Sequence, residues 1–172
     1  GAMGTAIQSL DLTAQDFGGP TLEGCNEYLN ITKPDVIKGI HRQYLEAGAD
    51  IIETNSFGST PVVLEEYGLG AQALTISTQA SRLARQVAEE YEVSSRIVFV
   101  AGSMGPTTKA LSVTGGISWD DLSDNYYVQA KGLLEGGADL LLIETSQDIL
   151  NVKAALIAVD RLSIEVGRDV PV

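Results

Sequence analysis

The sequence predicts an α/β fold of parallel strands: the N-terminal half of a (βα)8 barrel, with about four βα units. Three observations lead there. The stretch Glu135-Gly-Gly-Ala-Asp-Leu-Leu-Leu-Ile-Glu144-Thr145 holds an apolar run, Leu140 to Ile143. That run is too short to span a membrane and suits a strand covered on both faces. An earlier stretch, Glu46-Ala-Gly-Ala-Asp-Ile-Ile-Glu53-Thr54-Asn55, repeats the same series of helix end, glycine stop, Ala-Asp, apolar strand and Glu-Thr. Around both copies helical and strand patterns alternate strictly with short links, the order of right-handed βαβ units. An open doubly wound sheet shares that order. The dinucleotide fingerprint and the Walker loop are both absent. The echo of one strand in the next but one favours a barrel, whose interior layers draw on alternate strands.

Taken in order, residues 1–31 are loop-rich. Gly1–Thr5 reads as a turn, and Asp16-Phe-Gly-Gly-Pro20 marks another. Thr32-Lys-Pro-Asp35 opens a helix, with Thr32 as cap and Asp35 reaching back to it. Val36, Ile37, Ile40, Tyr44 and Leu45 then recur at helical spacing until Gly48 ends it. A strand follows at 50–54, a short helix near Pro61–Tyr67 and a longer one over roughly Ala71–Tyr91. Ile97–Ala101 reads as the next strand and Gly102–Thr107 as its connection onward. Ser118-Trp-Asp-Asp121 is a capping box for a helix running to Glu135. After the strand at Leu140–Ile143 comes a helix from about Ile149 to Glu165, and Val170-Pro-Val172 begins another strand. Both ends read as cut. Residues 1–172 are therefore expected to be the N-terminal portion of a barrel domain, incomplete at its C-terminal side. Such a piece exposes sheet edges, so self-association is expected.

Composition narrows the function. The chain is 44% hydrophobic and 20% charged, ordinary for a soluble globular protein. Its net charge of −12, with no clustered Lys or Arg, argues against nucleic acid and against an anionic membrane surface as partners. No segment nears the ~20 apolar residues of a membrane span, and no signal-type opening is present. A single cysteine, Cys25, leaves no internal disulfide. The expected setting is the cytoplasm.

Among residues able to carry chemistry, Glu144 comes first. It closes the buried strand and shares a face with Leu140 and Leu142. A carboxylate there can hold a substrate ammonium or act as a base with a raised pKa; a helix cap or a salt bridge would place it equally well. Glu53 and Asn55 share a face of the earlier strand, with Thr54 opposite. Asn55 suits hydrogen bonding to a substrate carboxylate or amide, or loop-structuring through an Asx turn. The turn at residues 1–5 can present backbone N–H groups to an anion. His41, beside Arg42 in a helix, reads as solvated or packed rather than as a ligand. Cys25 has no Cys or His partner at ligand spacing, so no metal site assembles from this chain. Ser-His-Asp chemistry lacks its nucleophile elbow.

The stretches Gly-Ala-Met-Gly-Thr (1–5), Gly-Cys-Asn-Glu-Tyr-Leu-Asn (24–30), Lys-Pro-Asp-Val-Ile (33–37), Glu-Ala-Gly-Ala-Asp-Ile-Ile-Glu-Thr-Asn-Ser-Phe (46–57), Gly-Pro-Thr (105–107) and Gly-Gly-Ala-Asp-Leu-Leu-Leu-Ile-Glu-Thr (136–145) run across the chain. With them the sequence resembles the homocysteine S-methyltransferase family. Within the family it is most similar to the homocysteine-binding N-terminal domain of the cobalamin-dependent members. The resemblance implies a barrel binding homocysteine at its C-terminal mouth. Zinc held by three cysteines lowers the thiol pKa there, and the thiolate attacks a donor methyl group to give methionine. Carried over by position, Glu144 takes the homocysteine ammonium, the backbone at Ala2 and Met3 lies against the amino-acid end, and Asn55, Thr54 and Phe57 line the mouth. The family's aspartate before Gly-Ala-Met-Gly and its cysteine ligands have no counterpart in residues 1–172, and Cys25 matches none of them. The chain alone is therefore expected to hold neither catalytic residue nor metal and to be inactive, with zinc bound elsewhere in the protein. Methylcobalamin, delivered through other domains, is favoured as donor over betaine or S-methylmethionine. Two competing readings remain: an unrelated barrel aldolase or pterin-binding enzyme using Glu144 or Glu53 as base, and a non-catalytic half-barrel module.

Overall fold

A computed structural model describes residues 2–92, 96–112 and 115–172. Among the described residues three strands, β1 (Ile51–Glu53), β2 (Phe99–Met104) and β3 (Leu140–Ile143), form one parallel sheet in the order β1-β2-β3. Neighbours in sequence are thus neighbours in the sheet. The crossovers are α5 (Ala73–Tyr91) between β1 and β2 and α6 (Trp119–Glu135) between β2 and β3. Before β1 lie the short helices α1 (Met3–Gln8) and α2 (Leu29–Thr32), then α3 (Pro34–Glu46). A single turn, α4 (Pro61–Leu64), precedes α5, and α7 (Ile149–Val166) follows β3.

The pleat sorts the strands into two faces. Ile52, Val100 and Leu141 are buried on the helix-covered face, in a core shared with Leu133 and Tyr126 of α6 and Val87 of α5. On the opposite face Ile51 and Phe99, partners in the register, stay exposed. Glu53, Ser103 and Glu144 continue that second face at the C-terminal ends of the three strands. The site is built there.

Several local expectations need correction. β2 starts at Phe99 and runs through Gly102-Ser103-Met104, which looked like a connection. Gly102, Ser103 and Met104 pair with Leu141, Leu142 and Ile143, so tertiary pairing overrides a loop-like composition. Gly102 is required by α6: a Cβ there would lie 3.1 Å from Leu133 Cβ and 2.9 Å from Leu141 Cδ2. The opening turn is helix α1 from Met3, while Gly1 lies outside the described residues. Thr32 does not cap α3. It ends α2, and Lys33 precedes Pro34 without a side-chain cap. Ser118 does cap α6, its hydroxyl accepting from Asp121 N–H at 3.1 Å. The segment 170–172 is not a strand. It meets β3 through the Pro171 carbonyl, which accepts from Leu141 N–H at 2.8 Å; Pro171 has no N–H with which to continue a ladder. Among the described residues no helix is long and apolar enough to cross a membrane.

His41 on α3 is packed, 1% exposed, and its Nε2 has no hydrogen-bond partner among the described residues. Burial pushes its pKa down to about 4. In the unfolded chain it titrates near 6.5, so below that pH the unfolded state takes up a proton the folded state refuses. The stability contribution is complete above about pH 6.5 and falls as pH drops toward 4, by about 2 kcal/mol at pH 5. Urea denaturation at about pH 7.5 and about pH 5 measures it, and His41→Leu is expected to flatten that part of the decline.

Candidate functional site

A cavity of about 310 Å³ opens at the C-terminal ends of the strands. Ala2, Met3, Thr54, Asn55, Phe57 and Glu144, contributed by α1, the loop after β1 and the end of β3, all line it. The structure thus brings together every site residue expected from sequence. It also brings in Asn26, Glu27, Ser56 and Ser103, which the sequence did not single out. Asn26 and Glu27 sit in the Gly-Cys-Asn-Glu stretch that carried the family resemblance, a signal available but unused. Ser103 stood in what read as a plain connection.

Glu144 follows β3 directly. Its backbone N–H donates to the Met104 carbonyl at 3.1 Å, which continues the pairing with β2 by one residue. Leu142 lies beneath it on the same face, half-buried. The carboxylate accepts from Ser103 Oγ at 2.6 Å through Oε1 and from Thr145 Oγ1 at 3.3 Å through Oε2. Thr145 has a positive φ of 56°, uncommon for a β-branched residue, and turns the chain away immediately after the carboxylate. Glu144 does not cap the following helix. Asp148 does, accepting from Leu150 N–H at 2.9 Å.

Asn55 and Thr54 contribute differently from expectation. The Asn55 Nδ2 donates to the Asn26 carbonyl at 2.7 Å and to Asn30 Oδ1 at 3.3 Å, while Asn30 Nδ2 donates to the Asn55 carbonyl at 2.7 Å. Its amide nitrogen is therefore spent on tying residues 26–30 to the loop after β1. Glu27 adds a fourth tie, accepting from Gly58 N–H at 2.7 Å. Burial pushes the Glu27 carboxyl above the usual carboxylate range, and the Gly58 hydrogen bond opposes that in part. The Thr54 hydroxyl turns to Ser56 Oγ at 2.6 Å and accepts from Ser103 N–H at 3.0 Å.

Among the described residues the lining carries the carboxyl groups of Glu27, Glu53 and Glu144 and no Lys, Arg or His. Such a cavity suits a ligand bearing positive charge. The cysteine-held zinc that the resemblance implies does not fit these residues. Cys25 is fully buried and burial pushes its thiol up to about 11, the opposite of a thiolate ligand. Among the described residues no three His, Cys, Asp or Glu side chains converge to hold a metal ion.

Comparison with known proteins places the whole chain in one lineage. The family described as homocysteine S-methyltransferase matches residues 1–172. The chain is 46% identical over 172 residues to the methionine synthase of Mycobacterium tuberculosis and 45% identical to that of Mycobacterium leprae. All of this chain is covered in both cases, but only 14% of either relative. Among solved structures it is similar to the homocysteine methyltransferase MmuM from Escherichia coli. The metallated form has a TM-score of 0.77 at 24% identity, covering 94% of this chain and 57% of that one. The oxidized form gives 0.74 at 25% identity, with 93% and 57% covered.

Proposed function

Since this chain belongs to the homocysteine S-methyltransferase family, we propose that its cavity is the amino-acid half of a site where a methyl group is transferred to the sulfur of homocysteine to form methionine. In the fold that supports this reading, residues 1–172 supply the first βα units of a (βα)8 barrel. The consecutive order β1-β2-β3 is the winding such a barrel needs, and the exposed Ile51 and Phe99 would belong to its interior. Family membership disfavours the unrelated aldolase or pterin-binding reading.

One observation carries the proposal. Six positions scattered from residue 2 to residue 144 line a single cavity, with a carboxylate at the C-terminal end of β3. Within it Glu144 receives the homocysteine ammonium. The backbone at Ala2 and Met3 meets the amino-acid end, and Phe57 covers the mouth. Asn55 and Thr54 hold the walls. The chain's own residues thus bind and orient the amino acid. The metal that activates its sulfur is assigned to ligands in another part of the protein, and methylcobalamin, the donor of the family branch this sequence resembles, to other domains.

The test uses the full-length protein. Incubation with homocysteine and isotopically labelled methylcobalamin is expected to yield labelled methionine by mass spectrometry. Product from betaine or S-methylmethionine instead would reassign the donor, and no methionine from any of the three would overturn the activity.

A further inference from the structure

We propose that Ser103 is a positioning residue that fixes the Glu144 carboxylate for the ligand's ammonium, and that a buried hydrogen-bond chain from α6 orients Ser103 in turn. The inference rests on the reading of Glu144 given above.

Ser103 sits within β2, paired with Leu142, in a sheet made otherwise of apolar residues and glycine at that level. It is 2% exposed. A hydroxyl buried in a strand is costly unless it is bonded, and this one donates to Glu144 Oε1 at 2.6 Å across to the neighbouring strand. The rest of Ser103 is held on both sides. Its N–H donates to Thr54 Oγ1 at 3.0 Å, and its carbonyl accepts from Ser56 Oγ at 2.8 Å. Behind these stands Gln129 of α6, fully buried, whose Nε2 donates to the Ser56 carbonyl at 2.7 Å and reaches the Ser103 carbonyl at 3.5 Å.

With its backbone held on both sides, Ser103 directs its hydroxyl across to Glu144 Oε1. A glutamate side chain otherwise loses considerable rotamer freedom when a ligand immobilises it. Anchoring Oε1 beforehand removes part of that cost and leaves Oε2, which accepts the longer 3.3 Å bond from Thr145 Oγ1, as the oxygen for the ammonium. Ser103 acts through Glu144 and need not touch the ligand.

The experiment measures, by calorimetry on the full-length protein, affinities for L-homocysteine and for 4-mercaptobutyrate, which keeps the thiol and carboxylate but has no ammonium. Wild type is expected to prefer homocysteine. Ser103→Ala is expected to lose about fivefold to tenfold in homocysteine affinity, with 4-mercaptobutyrate little changed. Ser103→Thr, which keeps the hydroxyl, should recover most of the preference, and Ser103→Ala should cost nothing further in a Glu144→Gln background. Equal losses for both ligands, or an unchanged preference in Ser103→Ala, would overturn the role of Ser103 while leaving Glu144 in place. A wild type that does not distinguish the two ligands would overturn the Glu144 reading itself, and this inference with it.

Discussion

Glu144→Gln in the full-length protein is expected to weaken homocysteine binding by roughly one to two decades, the ~1.5–3 kcal/mol that a charge-assisted hydrogen bond supplies. The substitution keeps shape. An amide oxygen can still accept from Ser103 Oγ, the 2.6 Å partner of the native carboxylate. The amide nitrogen, however, would present a donor to the ammonium, itself only a donor. Folding should be little affected, because Glu144 is half-buried at a cavity wall and the strand's apolar contacts come from Leu141. Calorimetric titration with homocysteine reads the first effect and a thermal melt the second. Unchanged affinity with an unchanged melting temperature would take Glu144 out of the site.

Gly136→Ala is expected to destabilise the fold by about 3 kcal/mol, at the upper end for overpacking. Helix α6 lies against α5 along a glycine edge. A Cβ on Gly136 would stand 2.3 Å from the Thr78 carbonyl oxygen and 2.6 Å from Ser81 Cβ. One on Gly132 would stand 2.7 Å from the Leu74 oxygen and 2.8 Å from Ser77 Cβ. The obstacles are mostly backbone and Cβ atoms, which cannot swing aside. Gly136 has an ordinary φ of −80°, so the cost is contact and not conformation. Gly39 on α3 is the control: a Cβ there meets nothing within 4 Å. Gly39→Ala should therefore gain up to about 1 kcal/mol from helix propensity. Urea denaturation of both variants checks the pair of signs, and a Gly136→Ala protein as stable as wild type would refute the close approach.

Most of the architecture was legible because it rests on local pattern. Periodicity placed α3, α5, α6 and α7, and the duplicated Ala-Asp phrase placed β1 and β3. What escaped was set by distant partners. Gly102-Ser103-Met104 has the composition of a loop and becomes strand only because Leu141–Ile143 lies beside it. α1 is six residues long, and its apolar spacing at Met3, Ala6 and Ile7 covers a single turn, too short to stand out from the glycines around it. In the site, Glu144 could be placed because strand ends are where α/β folds collect chemistry. Phe57 came from the resemblance alone, and Ala2 and Met3 from the resemblance together with the turn at residues 1–5. Asn26 and Glu27 could not be located by spacing, because they reach the cavity through bonds to Asn55 and Gly58, about thirty residues along the chain. The same bonds give Asn55 a structural part the sequence did not show: it lines the cavity, and its amide nitrogen ties the loop to Asn26 and Asn30 rather than forming an Asx turn.

The β3 strand bears different duties at its two extremities. At its foot, Asp139 accepts from Val100 N–H at 2.7 Å and is paired with Arg85, whose guanidinium also donates twice to the Gly137 carbonyl at 3.1 Å. At its head, Glu144 faces the cavity. Five residues of extended chain, roughly 16 Å, separate the two carboxylates, which exceeds the reach of unscreened charge in physiological salt. Damage at the foot should therefore register as lost folding free energy with ligand affinity intact, and damage at the head as the reverse. The two should combine additively when made together. Scaffold and specificity can then drift independently along a single strand.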